Sequence, residues 1–407
     1  MALATALCAT LAGAGEKKKI RDGSNTVNSI VIAGMISWVI TLLIIRFNHL
    51  HNDLTADCMT GVQKFHSHPT PRVGGVGLYC GVAVVALFLL LRELDVGWSL
   101  LMLLLAAAPA FAGGLVEDLT KKVSVLWRLG LTMVSAVLGY VLLGAELNRL
   151  DVPLVDQWVD LALSWWPLSL LLTMVAIGGV ANAINIIDGF HGLAGVFCLM
   201  IFGALGYVAF LLGDTLLWTT CAALIGALLG FLVWNYPRGL IFLGDGGAYF
   251  LGFMAGELSV LLVMRHPEVS PWFPMLLMIY PVFETLFSIY RKKILRGMSP
   301  GEPDGVHLHM LVYKRLVRWA VGSSEAEDRN NRNALTSPYL WVLSSMAIFP
   351  AMLFWRSTPM LMCFVLLFAV SYVWLYRRIV LFKVPRRLVL RKTRTPDGRS
   401  EQGPVDR

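Results

Sequence analysis

Eleven apolar stretches, each near the roughly 20 residues needed to cross a hydrocarbon core, run through this 407-residue chain. They cover 28–47, 73–92, 97–116, 124–145, 161–181, 193–213, 215–235, 247–264, 271–290, 338–356 and 359–382. Few folds remain open to such a sequence. Lipid offers the backbone no hydrogen bonds, so spanning segments are helices or strands of a closed barrel. The apolar–polar alternation of barrel strands is absent. The prediction is an all-α polytopic membrane protein of about eleven transmembrane helices. Only 15% of residues are charged, against roughly 25% in soluble domains, which leaves little material for a solvated surface. Gly, Ala and Trp within the stretches suit packed membrane helices with interfacial anchors.

Lys and Arg set the orientation. With the loop after the first span in the cytoplasm, 26 of the 34 basic residues fall on that side and 8 on the other. The N-terminus is therefore expected outside and the C-terminus in the cytoplasm, although Lys17, Lys18 and Lys19 run against the rule. The apolar residues 1–15 precede those charges, the reverse of a secretory signal, and none is assigned. The expected organisation is an N-terminal extension (1–27), one membrane domain (28–382) and a basic cytoplasmic tail (383–407). The tail supplies much of the net charge of +8. It reads as a topogenic, anionic-lipid-contacting segment rather than a nucleic-acid binder. Six scattered cysteines without ligand spacing argue against a disulfide framework or a zinc site.

Polar residues at a membrane edge are costly and need a reason. Five clusters hold them: HSHPTPRVGG (66–75), GLVEDLTKK (114–122), NAINIIDGFHG (182–192), FLGDGGAYFLGF (242–253) and PDGVHLHM (303–310). All fall at predicted cytoplasmic span ends. Glu117 and Asp118 beside Lys121 and Lys122 suit a phosphate-bound metal or a proton acceptor, and equally a solvated helix end. Asn182, Asn185 and Asp188 share one side of a helix, where oxygen donors suit Mg²⁺, or else form a cap before Gly189. His191 is balanced between substrate contact and filling the turn. Asp245 precedes glycines that let a backbone approach phosphate, although turns use the same letters. His307 and His309 alternate around Leu308, toward phosphates or in plain loop chemistry. Seven of the eight histidines lie on the cytoplasmic side, with His266 the exception.

In this order the clusters resemble the polyprenyl-phosphate N-acetylhexosamine-1-phosphate transferases (glycosyltransferase family 4). That superfamily carries His-x-x-Pro-Thr-Pro-Arg-x-Gly-Gly, an acidic pair, Asn-x-x-Asn-x-x-Asp-Gly, Phe-(Met/Leu)-Gly-Asp and a late histidine motif. The matching residues here are 66–75, Glu117–Asp118, Asn182 to Gly189, Phe242 to Asp245 and Pro303 to Met310. The resemblance runs from about residue 57 to 316. It implies attack of a lipid phosphate, undecaprenyl phosphate in bacteria, on a UDP-N-acetylamino sugar. UMP leaves, and a HexNAc-diphospholipid forms on the cytoplasmic leaflet of the inner membrane. It further implies Mg²⁺, with Mn²⁺ as a substitute, held by Asn185 and Asp245. Asp118, Glu117 and Asp188 are the implied catalytic residues. Lys64, His66, Arg72, Asn182 and His191 would line the substrate pocket, and Lys121, Lys122, Arg128, His307 and His309 would hold phosphates. The expected partners are the UDP-sugar, undecaprenyl phosphate and membrane lipids, with a homodimer left open.

Three positions depart from the common pattern. The acidic pair is Glu–Asp rather than Asp–Asp, and His191 stands where many bacterial members have a second Asp. The late motif ends in Met310 where a paired histidine is usual. That last departure points away from muramyl-pentapeptide donors and toward initiation of O-antigen, capsule or another surface glycan. The rival reading is a transporter or flippase of a lipid-linked or anionic solute. Glu257, inside the eighth span, suits that rival best, although transport sites sit near the bilayer midplane and the acids here do not.

Overall fold

A helix with no polar face has to sit among other helices, and one stretch of this chain meets that condition along its whole length. The computed structural model describes residues 2–55, 70–153, 155–295, 297, 305–317 and 326–381, which contain no β-strand. The helices are α1 (Ala2–Arg46), α2 (Asn48–Thr55), α3 (Gly75–Leu91), α4 (Asp95–Thr120), α5 (Val125–Leu143), α6 (Asp156–Leu163), α7 (Trp166–Ile187) and α8 (Leu193–Leu211). They continue with α9 (Thr215–Asn235), α10 (Gly244–Arg265), α11 (Trp272–Leu277), α12 (Ile279–Tyr290), α13 (Leu308–Leu311), α14 (Ala326–Leu353) and α15 (Thr358–Val380). Short π-helical turns, Arg291–Leu295 and Val312–Val317, follow α12 and α13. The fully surrounded stretch is α10, buried from Gly244 to Val263.

Nine helices among the described residues are long and apolar enough to cross a membrane. The protein is therefore an all-α, multi-pass membrane protein. Two predicted spans differ from the rest. The segment 73–92 forms the 17-residue helix α3. The segment 271–290 is not one helix but two, broken at Met278. Pro281 has no N–H to offer the carbonyl of Leu277, so the helical ladder lapses there. Trp158 lies on the short helix α6, and Trp165 and Trp166 lie at the start of α7, with all three indoles exposed.

Helix α10 packs most extensively against α4 and α7, with α3, α5 and α8 completing the surround. Close approach depends on glycine. A Cβ on Gly114 of α4 would lie 2.5 Å from the backbone of Asp245, and one on Gly75 would lie 2.3 Å from the Gly247 nitrogen. The Gly-Gly pairs at 74–75, 113–114 and 246–247 thus meet at one place, the first turn of α10. At the other end of the bundle, Arg149 Nη2 donates to the Val269 carbonyl at 2.6 Å and Nη1 to Asp151 at 2.9 Å. Glu257 lies about 18 Å along α10 from Asp245, at 1.5 Å per residue. It is buried beside Gly139 of α5, and neither carboxyl oxygen has a hydrogen-bond partner among the described residues.

Candidate active site at one end of the bundle

The first turn of α10 presents N–H groups with no partner inside the helix. Asp118, at the end of α4, takes two of them. Its Oδ1 accepts from Asp245 N at 2.9 Å and its Oδ2 from Gly246 N at 2.8 Å. A nearly fully buried carboxylate at a helix N-terminus also meets the positive end of the helix dipole. The turn that starts α10 requires glycine. Gly244 has φ +73°, and a Cβ there would lie 1.7 Å from the Arg72 carbonyl oxygen. Arg72 enters beside it, with Nη2 3.7 Å from Asp118 Oδ1.

Asp245 gathers the other polar residues. Its Oδ1 accepts from Arg72 Nη2 at 3.1 Å and from Asn185 Nδ2 at 3.0 Å. Its Oδ2 pairs with Arg128 Nη1. Arg128 also lies over the Tyr249 ring, 5.6 Å from its centre, and the Tyr249 hydroxyl donates to Asn182 Oδ1 at 3.3 Å. Asp188 caps α7 three residues beyond Asn185. Burial lifts its carboxyl to about 7, with the Arg72 charge pulling the other way. The set combines a carboxylate and an amide with two guanidiniums and a carboxyl poised near neutrality. Asp245 and Asn185 fit a hard divalent cation, which binds through one or two protein oxygens and takes its remaining ligands from water and phosphate. The two guanidiniums, whose forks match phosphate oxygens, balance Asp245 without one.

The late histidines stand slightly apart. Their rings stack, with centres 5.3 Å apart and planes 5° from parallel. His309 packs against Phe190, and a Cβ on Gly189 would lie 3.7 Å from its ring. Neither of its nitrogens has a hydrogen-bond partner among the described residues. Burial pushes this imidazole down to about 3, aided by His307 and opposed by Glu284. His307 Nδ1 is 2.8 Å from Glu284 Oε1.

Other residues expected at the site lie elsewhere. Glu117 turns away from Asp118, and its Oε2 accepts from Val123 N at 2.7 Å, closing the α4–α5 loop. Lys121 and Lys122 are exposed on that loop, with Lys121 in the left-handed region at φ 56°. His191 is buried between turns. Its N–H donates to Asn333 Oδ1 at 2.7 Å, its carbonyl accepts from Ser337 Oγ at 2.6 Å, and its ring stands against Phe242 and Gly239. Lys64 and His66 lie outside the described residues.

The family model described as glycosyl transferase family 4 matches residues 100–263. The chain is 30% identical over 306 residues to the decaprenyl-phosphate N-acetylglucosaminephosphotransferase of Mycolicibacterium smegmatis, covering 68% of this chain and 70% of that protein. This chain belongs to glycosyl transferase family 4. It is also 28% identical over 292 residues to a Bacillus subtilis protein described as a probable undecaprenyl-phosphate N-acetylglucosaminyl 1-phosphate transferase, covering 69% of this chain and 76% of that one. An undecaprenyl-phosphate alpha-N-acetylglucosaminyl 1-phosphate transferase of Escherichia coli O157:H7 is 28% identical over 262 residues, or 62% of this chain and 67% of that one.

Within the family frame, sequence reasoning passed over Tyr249, Glu284 and Tyr372. Tyr249 lies inside the 242–253 cluster but reads there as one more apolar helix residue. Glu284 carried a usable signal, since an acid inside an apolar run is costly unless it has partners. Tyr372 carried none, because a tyrosine in a membrane helix is ordinary. His191 sits where the Asn235 amide also ties the turn, donating to Ile241 O at 2.8 Å while accepting from Gly192 N at 2.7 Å.

Proposed function

We propose that this chain transfers a HexNAc-1-phosphate from a UDP-N-acetylamino sugar to undecaprenyl phosphate. The reaction releases UMP and starts a lipid-linked surface glycan, such as O-antigen or capsule, on the cytoplasmic face of a bacterial inner membrane. The observation that carries the reading is the meeting of Asp118, Arg72, Arg128 and Asn185 around Asp245. The relatives' names supply the reaction class, and glycine-enforced contact of α4 with α10 explains why the groups meet. All of them lie at one end of the bundle, where a headgroup reaction belongs, rather than at the midplane, where transport sites lie.

An oxygen of the lipid phosphate bonds to the β-phosphorus of the donor. The bond from that phosphorus to the bridging oxygen breaks, and UMP leaves with the electron pair. Arg72 and Arg128 hold the diphosphate oxygens and offset charge on the leaving phosphate. Asp118 is occupied by two backbone N–H groups, so it fixes the start of α10 and thereby aims Asp245. Asp188, poised near 7, suits the removal of a proton from the attacking lipid phosphate. Asn185 and Asp245 would hold Mg²⁺, which supplies charge neutralisation on the diphosphate when bound.

Purified protein, undecaprenyl phosphate, Mg²⁺ and a panel of radiolabelled UDP-N-acetyl sugars provide the test. Labelled lipid and UMP should appear with at least one donor, and Asp245→Ala should abolish both. No product with any donor, or full activity in Asp245→Ala, would overturn the reading.

A further inference from the structure

Outside the cluster around Asp245, the described residues contain a second buried polar assembly. Its centre is Glu284 of α12, fully enclosed. Oε1 lies 2.8 Å from His307 Nδ1, and Oε2 accepts the Tyr372 hydroxyl of α15 at 2.6 Å. The Leu308 N–H is shared between the two oxygens at 3.3 and 3.2 Å. Tyr376, one turn further along α15, donates to the Val306 carbonyl at 3.2 Å and accepts from Arg291 Nη1 at 2.8 Å. The segment 306–308 is therefore held by α12 through Glu284 and by α15 through Tyr376, with Tyr372 of α15 holding Glu284 in turn. Beyond it the His307 ring stacks on His309, which packs against Phe190 in the turn that follows Asp188.

We propose that Glu284 and Tyr372 are positioning residues that fix the tautomer and plane of His307 for phosphate contact. This rests on the transferase reading for what His307 contacts, but not for the relay itself. The chemistry follows from donor counts. An ionised carboxylate only accepts, so the ring nitrogen facing it carries the hydrogen, and Nδ1–H donates to Glu284. Nε2 is left as the nitrogen that meets a ligand, as a lone pair in the neutral ring or as a charged N–H in the imidazolium. Tyr372 occupies the other carboxylate oxygen, which stops Glu284 from rotating away. A histidine held through a carboxylate behind it is the arrangement that elsewhere keeps imidazole ligands in one tautomer. Because α15 begins at residue 358, beyond the 100–263 family match, the relay ties that distant helix to the phosphate end.

The test uses full-length protein with ¹⁵N-labelled histidine rings in lipid nanodiscs, His307→Gln assigning the His307 signals. Wild type should show a deshielded Nδ1 proton at His307, and Glu284→Gln should move it upfield. Turnover should fall about 10-fold to 100-fold in Glu284→Gln, the range seen when a group orienting an imidazole is removed, with KM for the UDP-sugar little changed. Tyr372→Phe should show a smaller loss of the same kind. Both losses should vanish in a His307→Gln background, since residues acting through a shared partner are not additive. An unmoved Nδ1 signal, or losses that persist undiminished in His307→Gln, would overturn the relay. If Glu284→Gln does not fold, Tyr372→Phe carries the same two readouts. Wild type inactive with every donor would sink the transferase reading alone, and the ring signals would still decide the relay.

Discussion

An imidazole with no hydrogen bond at either nitrogen is an expensive occupant of a protein interior, and among the described residues His309 is one. A residue kept at such cost is expected to serve the reaction rather than the fold. His309→Leu should leave the unfolding temperature in detergent unchanged or raise it, while turnover falls by at least about 100-fold, the low end for a positioned catalytic group. The pH dependence has a definite sign. Native His309 is held at about 3, while the unfolded imidazole titrates near 6.5. Below that value the unfolded chain takes up a proton that the native chain refuses, so stability falls as pH drops from about 6.5 toward 3. The slope should be shallower in His309→Leu than in wild type, read by thermal unfolding at several pH values. Asp118 makes the opposite case. Both of its oxygens accept backbone N–H groups, and an asparagine can offer only one acceptor. Asp118→Asn should cost roughly 1–3 kcal/mol of stability and most of the turnover, because the start of α10 loses its anchor and Asp245 its aim. Unaltered stability would remove the capping role.

At the scale of the element, α10 shows how the site is assembled and which parts of it could be read beforehand. Its apolar run and the GDGG at its start were legible, as were the acidic pair on α4 and the Asn-x-x-Asn-x-x-Asp stripe on α7. What could not be read was that Asp118, rather than Glu117, faces α10, since adjacent residues on a helix point about 100° apart and only tertiary packing selects between them. The role of Gly114 was hidden for the same reason. Its missing side chain matters only against the Asp245 backbone, which is 131 positions further along the chain. The break within 271–290 was legible in principle from Pro281, yet apolar length alone favoured one continuous span. Glu284 disappeared into that same apolar run. Gly114→Ala therefore tests the assembly directly. The added methyl would sit 2.5 Å from backbone, so α4 and α10 must separate, at about 1–3 kcal/mol for overpacking of this kind. Turnover should fall further than stability, because the shift moves Asp118 and Asp245 together with Arg72 and Arg128. Gly130→Ala, with nothing within 4 Å of the new carbon, is the matched control and should change neither.

For the whole molecule, orientation in the membrane decides whether the polar cluster meets the cytoplasm. The ends of α4 and α7 and the starts of α3, α5 and α10 converge at the polar cluster, so a single orientation decides all of them together. The 26 to 8 split of basic residues predicts that this end lies inside. Two exposed positions report on it, Thr120 at the end of α4 and Glu268 between α10 and α11. With the native cysteines replaced, Glu268→Cys should react with a membrane-impermeant maleimide in intact cells. Thr120→Cys should react only after the membrane is opened or inverted. The reverse pattern would put Asp245 and its arginines on the outer face. Nucleotide sugars are made in the cytoplasm, so that outcome would remove the donor from reach and take the proposed reaction with it. Labelling of both positions in intact cells would mean a mixed population. Adding Lys residues to the α4–α5 loop should then resolve it toward the cytoplasmic form, because short-loop positive charge is the force that sets orientation.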